Sequence, residues 1–259
     1  MSEFVLAKVE IEETAATIAA GREFLGNAVD AIKASRLDVE RQVRKDDFFL
    51  TTMEPYDPPA GCPEIITRMC EASKTAGVGP MATVAGGIAQ EAVEAMAAGG
   101  CVHAWVDNGG DISMILHEPV LIEIFSEPGA KTALAIELGP TDGIIGVCTS
   151  SGRLGHSISL GDADAAVVIA EDAFLADALA TAIGNRVVDS ATLRTCFDDF
   201  RGIRGFIAGL AIRDGEVSMY GAFPKISEVE HNPDRVTAHS KMSAPKFIGS
   251  SNLNTEVGA

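Results

Sequence analysis

Two runs of alternating apolar residues, 102–107 and 112–116, are separated by Asn108-Gly109-Gly110, residues that reach the positive φ a tight hairpin demands. A hairpin at this point commits the middle of the chain to antiparallel pairing. Asp214-Gly215 does the same between 206–212 and 217–220. Phe4–Ile11 also alternates and leads into a second strand over 14–20, and short apolar runs at 120–125, 133–138, 144–148 and 163–170 predict further strands. The last of these is apolar without a break in its second half, which predicts burial on both faces. Helical spacing covers 21–45, 65–73, 81–98 and 172–188, with Ser190 capping a short successor. Glu40 and Arg44 stand one helical turn apart on the wet face. Residues 54–63, with four prolines, read as a loop. Helices and strands interleave while hairpins dominate the middle. The fold expected is therefore α+β, a mixed or antiparallel sheet packed with helices, over residues 1–240 as one unit, with a polar tail at 241–259.

Composition narrows the function. The chain carries 37 acidic against 20 basic residues, a net charge of −17. That field repels phosphate backbones and anionic lipid, which excludes nucleic acid and membrane surfaces as partners. No apolar run approaches the roughly 20 residues that span a bilayer. The start, MSEFVLAKVEIEE, has neither the basic nor the long apolar segment of a secretion signal. Five cysteines, odd in number and without a C-x-x-C pair, suit a reducing compartment. The expectation is a cytoplasmic protein whose partner is a small molecule, with a homo-oligomer left open.

Four segments carry chemistry-bearing residues. Thr149-Ser150-Ser151-Gly152-Arg153-Leu154-Gly155-His156 follows an apolar strand. Hydroxyls, close-approach glycines, an arginine and a histidine together form either an anion cradle or a polar turn. Asn108-Gly109-Gly110-Asp111 is a turn whose amides and carboxylate either face a ligand or only close the hairpin. Asp177 and Thr181 lie four apart on one helix face, a hard-oxygen pair suited to Mg²⁺ or else a buried aspartate with a neighbouring loop. Gly77-Val78-Gly79-Pro80 leads into an alanine- and glycine-rich helix, whose first amides and positive dipole end favour an anion. Cys148 directly precedes the cradle; a thiol ending an apolar strand is commonly buried and inert. His103 and Trp105 alternate on one strand as packing or rim residues, and Asp162 and Asp164 stand at a strand entrance.

The order of these segments resembles the ApbE flavin-transferase superfamily: a small-residue helix, N-G-G-D, T-S-S-G, a histidine, an aliphatic strand, then A-D-A-L-A-T. The phrases VGPMATVAGGIAQ, CTSSGRLGHS, GDADAAVV and ADALATAIGN are similar to one ApbE-like branch found in archaea and anaerobic bacteria. The resemblance implies an ApbE-like fold, FAD or FMN as ligand and Mg²⁺ as cofactor. It further implies that Asp177 and Thr181 bind the metal, that Asn108, Gly109, Gly110, Asp111, Thr149, Ser150, Ser151 and Gly152 contact the cofactor, and that His156 takes the acid/base role. The chain departs from the family pattern after His156, where no D-P-x-T-G follows, and at Ala85, where a lysine is usual. The function expected is therefore Mg²⁺-assisted binding of a phosphorylated ligand, a flavin or another nucleotide, with transfer or pyrophosphate hydrolysis as the chemistry. Two alternatives share the scaffold: a role in anaerobic sulfur assimilation and homocysteine formation, which would put weight on Cys148, and a non-catalytic binding domain. Residues 72–90 and 143–161 contain no acid, so both predicted phosphate-binding stretches are spared the overall negative charge.

Overall fold

The computed structural model describes residues 3–126, 130–151 and 161–231. The alternating start forms β1 (Phe4–Ile11), which pairs antiparallel with β2 (Thr14–Gly21) from Phe4↔Gly21 to Ile11↔Thr14. β3 (Ala104–Asp107) and β4 (Asp111–Ile115) flank the Asn108-Gly109-Gly110 turn as the sequence predicts. β7 (Ile145–Ser150), β8 (Ala165–Ala170), β9 (Phe206–Arg213) and β10 (Glu216–Gly221) complete an eight-stranded sheet, in the order β1-β2-β3-β4-β7-β8-β9-β10. Every neighbouring pair in it is antiparallel. β5 (Val120–Phe125), β6 (Thr132–Leu138) and β11 (Ile226–Glu230) form a second sheet, ordered β11-β6-β5.

β8 shows how the layers are assembled. All six of its residues are buried, because strand alternation sends them to two different cores. Ala166, Val168 and Ala170 pack against the helices. Ala165, Val167 and Ile169 pack against the small sheet through Ile122, Ile124 and Ile136. The molecule thus has helices, a large sheet and a small sheet in three layers, and the unbroken apolar run is the signature of the middle one.

On the helical side, α1 (Leu25–Lys45) buries Ala28, Ile32, Val39 and the guanidinium of Arg36. Arg36 donates to Thr14 Oγ1 at 2.7 Å and meets Glu12, Glu13 and Glu40, clamping the first hairpin to α1. The expected Glu40–Arg44 pair forms at 3.0 Å. α4 (Val84–Ala98) and α5 (Ala173–Arg186) pack over β4, β7 and β8, and α3 (Glu64–Ala76) packs on α5 and α4. Asp172 caps α5 by accepting from Leu175 N at 3.1 Å.

Two elements go beyond the sequence expectation. α2 (Asp47–Thr51) is a five-residue helix whose cap is Asp46, accepting from Phe48 N at 3.0 Å; it is too short to show a helical period. β11 is a charged edge strand that gains its order from pairing with β6. One cap also shifts: the short helix α6 (Ser190–Thr195) is capped by Asp189, which forms a reciprocal capping box with Thr192, and Ser190 is its first residue. The tail predicted at 241–259 lies outside the described residues.

Candidate functional site

Three of the four chemistry-bearing segments converge where α4 begins, under α5 and beside β4 and β7. The approach is close because the residues there are small. A Cβ on Gly86 would stand 2.5 Å from the Ala173 carbonyl oxygen and 2.9 Å from the Asp177 Cβ, and a Cβ on Gly146 of β7 would strike the backbone of Ala173. No other residue fits at either crossing without displacing backbone.

The meeting point is a single peptide unit. Asn108 Nδ2 donates to the Ala85 carbonyl at 3.0 Å. The Gly86 N–H at the other end of that unit donates to Asp177 Oδ2 at 2.9 Å, and the Ala85 N–H also supports this carboxylate. The hairpin turn and the α5 aspartate thus grip the first turn of α4 from both sides. The free amides of that turn, which the sequence offers to an external anion, are taken up by the protein's own Asp177.

Asp177 is only 8% exposed. Burial pushes its pKa up to about 7, more than the Gly86 and Ala85 amides pull it down. Asp111 starts β4, opposite Cys148 of β7. Its carboxyl is also raised well above the ordinary range, first by burial and then by the nearby charges of Asp177 and Asp107, although the Cys148 thiol and Thr149 N–H bond to it. Burial, and then Asp111 and Asp177, push Cys148 in turn well above the usual thiol range. Fully buried, with its sulfur 3.6 Å from the Ala173 carbonyl oxygen, Cys148 is held as a neutral thiol and is a poor nucleophile. Among the described residues no arginine, lysine or histidine pairs with Asp111 or Asp177.

The other expected site residues fall around this centre. Gly109 and Gly110 have φ of 74° and 102°, and the Gly110 N–H donates to Asp107 Oδ1 at 2.8 Å, which sets the turn. Thr181 lies one turn beyond Asp177 on α5, half-buried, with no side-chain hydrogen bond to another described residue. Strand alternation separates the hydroxyls of β7. Ser150 pairs with Ala166 on the helical face and lies against Gly184 of α5, whereas Thr149 pairs with Val167 on the opposite face. Ser151 ends the described stretch, and Gly152 and His156 lie outside the described residues. His103 and Trp105 sit apart from the site, ring-to-ring with Phe4 on β1. Asp164 accepts from Asp214 N at 2.6 Å, a structural bond between strand ends.

One contributor escapes the sequence reading. Gln90, buried nearly two turns into α4, accepts at Oε1 from Ser113 Oγ (3.1 Å) and from Ala173 N (3.0 Å), and donates from Nε2 to Glu94 (2.9 Å). It ties together the three elements that carry Asp111, Asp177 and Gly86. The signal available is a lone amide on a helix face otherwise built of Ala, Gly and Ile.

Among the described residues no group of three or more His, Cys, Asp or Glu is disposed to hold a metal ion, and no helix is long and apolar enough to cross a membrane. A family model described as AbpE bacteria matches residues 6–198. A UPF0280 protein of Methanocella arvoryzae is 44% identical over 231 residues, covering 89% of this chain and 94% of the relative. Another, of Archaeoglobus fulgidus, is 42% identical over 235 residues, with 89% and 97% covered. Among solved structures, the flavinyl transferase ApbE of Pseudomonas stutzeri in apo form aligns with a TM-score of 0.55 at 15% identity over 84% of this chain and 94% of that one. The ApbE protein of Thermotoga maritima aligns with a TM-score of 0.53 at 13% identity, covering 83% and 96%. The sequence matches and the three-layer architecture agree: the chain belongs to the AbpE bacteria family, has UPF0280 proteins as relatives, and carries the ApbE fold.

Proposed function

We propose that this chain binds a phosphorylated ligand, a flavin or another nucleotide, together with Mg²⁺, at the junction of α4, α5 and the β4–β7 strands, and acts as a transferase of the ApbE type. The observation that carries this reading is the pair of carboxyls at buried Asp177 and half-buried Asp111, close enough to repel each other, with no basic partner among the described residues. Such a pair is costly for the fold alone and natural for a site completed by a cation. The donor set fits Mg²⁺: hard oxygens, few in number, leaving room for water and phosphate. Asp177 and the Thr181 hydroxyl would hold the ion, with Asp111 neutralised beside it. When bound, the ion would polarise phosphate oxygens as a Lewis acid.

The chain's own residues supply the rest. The Gly86 and Ala85 amides hold the Asp177 carboxylate in place while Asn108 fixes the Ala85–Gly86 peptide. The Asn108–Asp111 turn contacts the ligand together with the 149–152 stretch, whose Ser150 side chain stands on the same helical face, and His156 moves a proton. A phosphate approaching two carboxylates without a cation would be repelled, so ligand and metal affinity are linked. The ApbE names of the structural neighbours support a flavin as first choice. The buried, neutral Cys148 lends nothing to thiol chemistry.

Isothermal titration tests this directly. FAD or FMN is expected to bind more tightly with Mg²⁺ than with EDTA, and Asp177→Ala to abolish the difference. Flavin affinity that ignores both Mg²⁺ and Asp177 would refute the proposal.

A further inference from the structure

The surface around α2 joins three features that the site does not use. Phe48, Leu50 and Met53 fall within six residues and are 61%, 38% and 42% exposed. The ring of Phe48 lies 6.3 Å from that of Tyr56. Tyr56 in turn walls a hollow of about 310 Å³ shared with Lys45, Asp46, Pro59 and Cys62. Isolated exposed apolar residues are ordinary on a protein surface, but an exposed aromatic ring against Tyr56 at the rim of a hollow marks an interaction face.

Charge says what kind of partner fits. From 46 to 67 the chain carries five acids (Asp46, Asp47, Glu54, Asp57 and Glu64) and no lysine or arginine. Two lysines adjoin the patch: Lys45 lines the hollow, and Lys74 pairs with Asp57 at 2.9 Å. Acids therefore stand one in four or five here, against one in seven in the whole chain. A second copy would bring an equally acidic belt, and an anionic lipid or nucleic acid would be repelled as well. The face is also anchored to the chain that leads into α4. The Thr52 carbonyl packs so tightly on Gly79 that a Cβ there would collide with it, and Gly79 opens the turn that leads into α4.

We infer that this face docks a basic protein segment, one presenting apolar side chains flanked by lysine or arginine. The apolar residues supply the anchor and the acids supply orientation and association rate. This inference stands apart from the Mg²⁺ reading, because none of its residues belongs to the proposed metal or ligand set.

The test uses the intact protein with a short amphipathic Leu/Lys peptide and its Leu/Glu counterpart, followed by hydrogen exchange and titration. The Lys peptide is expected to protect residues 46–62, to bind about tenfold more weakly to Phe48→Ser, and to weaken with salt; the Glu peptide is expected not to bind. Phe48 is exposed, so its serine variant should keep the parent melting temperature, and Glu54→Lys with Asp57→Lys provides a second route to the same loss. Protection spread over other acidic surfaces, or affinity unchanged by Phe48→Ser, would overturn the inference by reducing it to bulk charge. Concentration-dependent self-association burying the same residues would overturn it in favour of a second copy.

Discussion

Replacing Asp177 by asparagine separates what this carboxyl costs the fold from what it gives the site. In the folded protein the Asp177 pKa is pushed up to about 7, from an ordinary value of 3.8. Between those two pH values the folded state keeps a proton that the unfolded chain has lost. Protons bound by the unfolded state are then fewer, so stability falls as pH rises, by about 1.4 kcal/mol per pH unit and on the order of 4 kcal/mol across the window. The loss is complete above the folded value. The Asp177→Asn variant has no such proton to lose, and removing the charge also relieves Asp111, which acts in the same direction. Urea denaturation from about pH 5 to about pH 8 in EDTA should show the variant gaining on the parent steadily and levelling off above about pH 7. Adding Mg²⁺ at the top of that range should restore the parent and leave the variant unmoved. Parallel curves for the two proteins, or a parent that gains on the variant as pH rises, would refute the account of a buried, uncompensated carboxyl.

Gly86→Ala places a methyl 2.5 Å from the Ala173 carbonyl oxygen; a loss of about 1–3 kcal/mol by chemical denaturation is expected. Gln90→Met leaves Ser113 and the Ala173 amide without their acceptor and Glu94 without its donor and should cost about 2–4 kcal/mol by chemical denaturation; Gln90→Glu keeps the acceptor but sets a carboxylate against Glu94 and should recover little of it. Cys148, buried and raised in pKa, should resist iodoacetamide in the native state while half-buried Cys62 reacts first, as read by peptide mass mapping. If the ligand lies on the helical face, Ser150→Ala should weaken flavin binding about fivefold by titration and Thr149→Val should change it little.

The layers are legible in the sequence because they follow from local pattern. Asn108-Gly109-Gly110 and Asp214-Gly215 need no distant information to turn a chain, and the run from Ala165 to Ala170 cannot alternate unless both sides are covered. What stays hidden depends on register. That Thr149 and Ser150 face opposite layers follows from the pairing of β7 with β8, which no spacing within the T-S-S-G stretch discloses. Gln90 is hidden for the same reason: its partners, Ser113 and the Ala173 amide, lie 23 and 83 residues away. α2 escapes notice because five residues are fewer than two turns, and only the Asp46 cap and burial of Phe49 reveal it.

The helix start misleads in a more instructive way. An acid-free stretch, 72–90, leading into a glycine-rich helix reads as a place kept clear for a ligand's phosphate. In the fold the anion at that terminus is Asp177, delivered by a helix that begins nearly ninety residues further on. With the Ala85 and Gly86 amides already bonded to Asp177, an acid within the stretch at this terminus would set a second negative charge beside the first. The Asp177 carboxylate is therefore committed partly to α4, with Oδ2 facing Gly86, and only its remaining lone pairs are available to a metal. A site in which one residue both closes the helix packing and offers itself to a cation couples stability to occupancy: whatever binds there must also tighten the α4–α5 crossing.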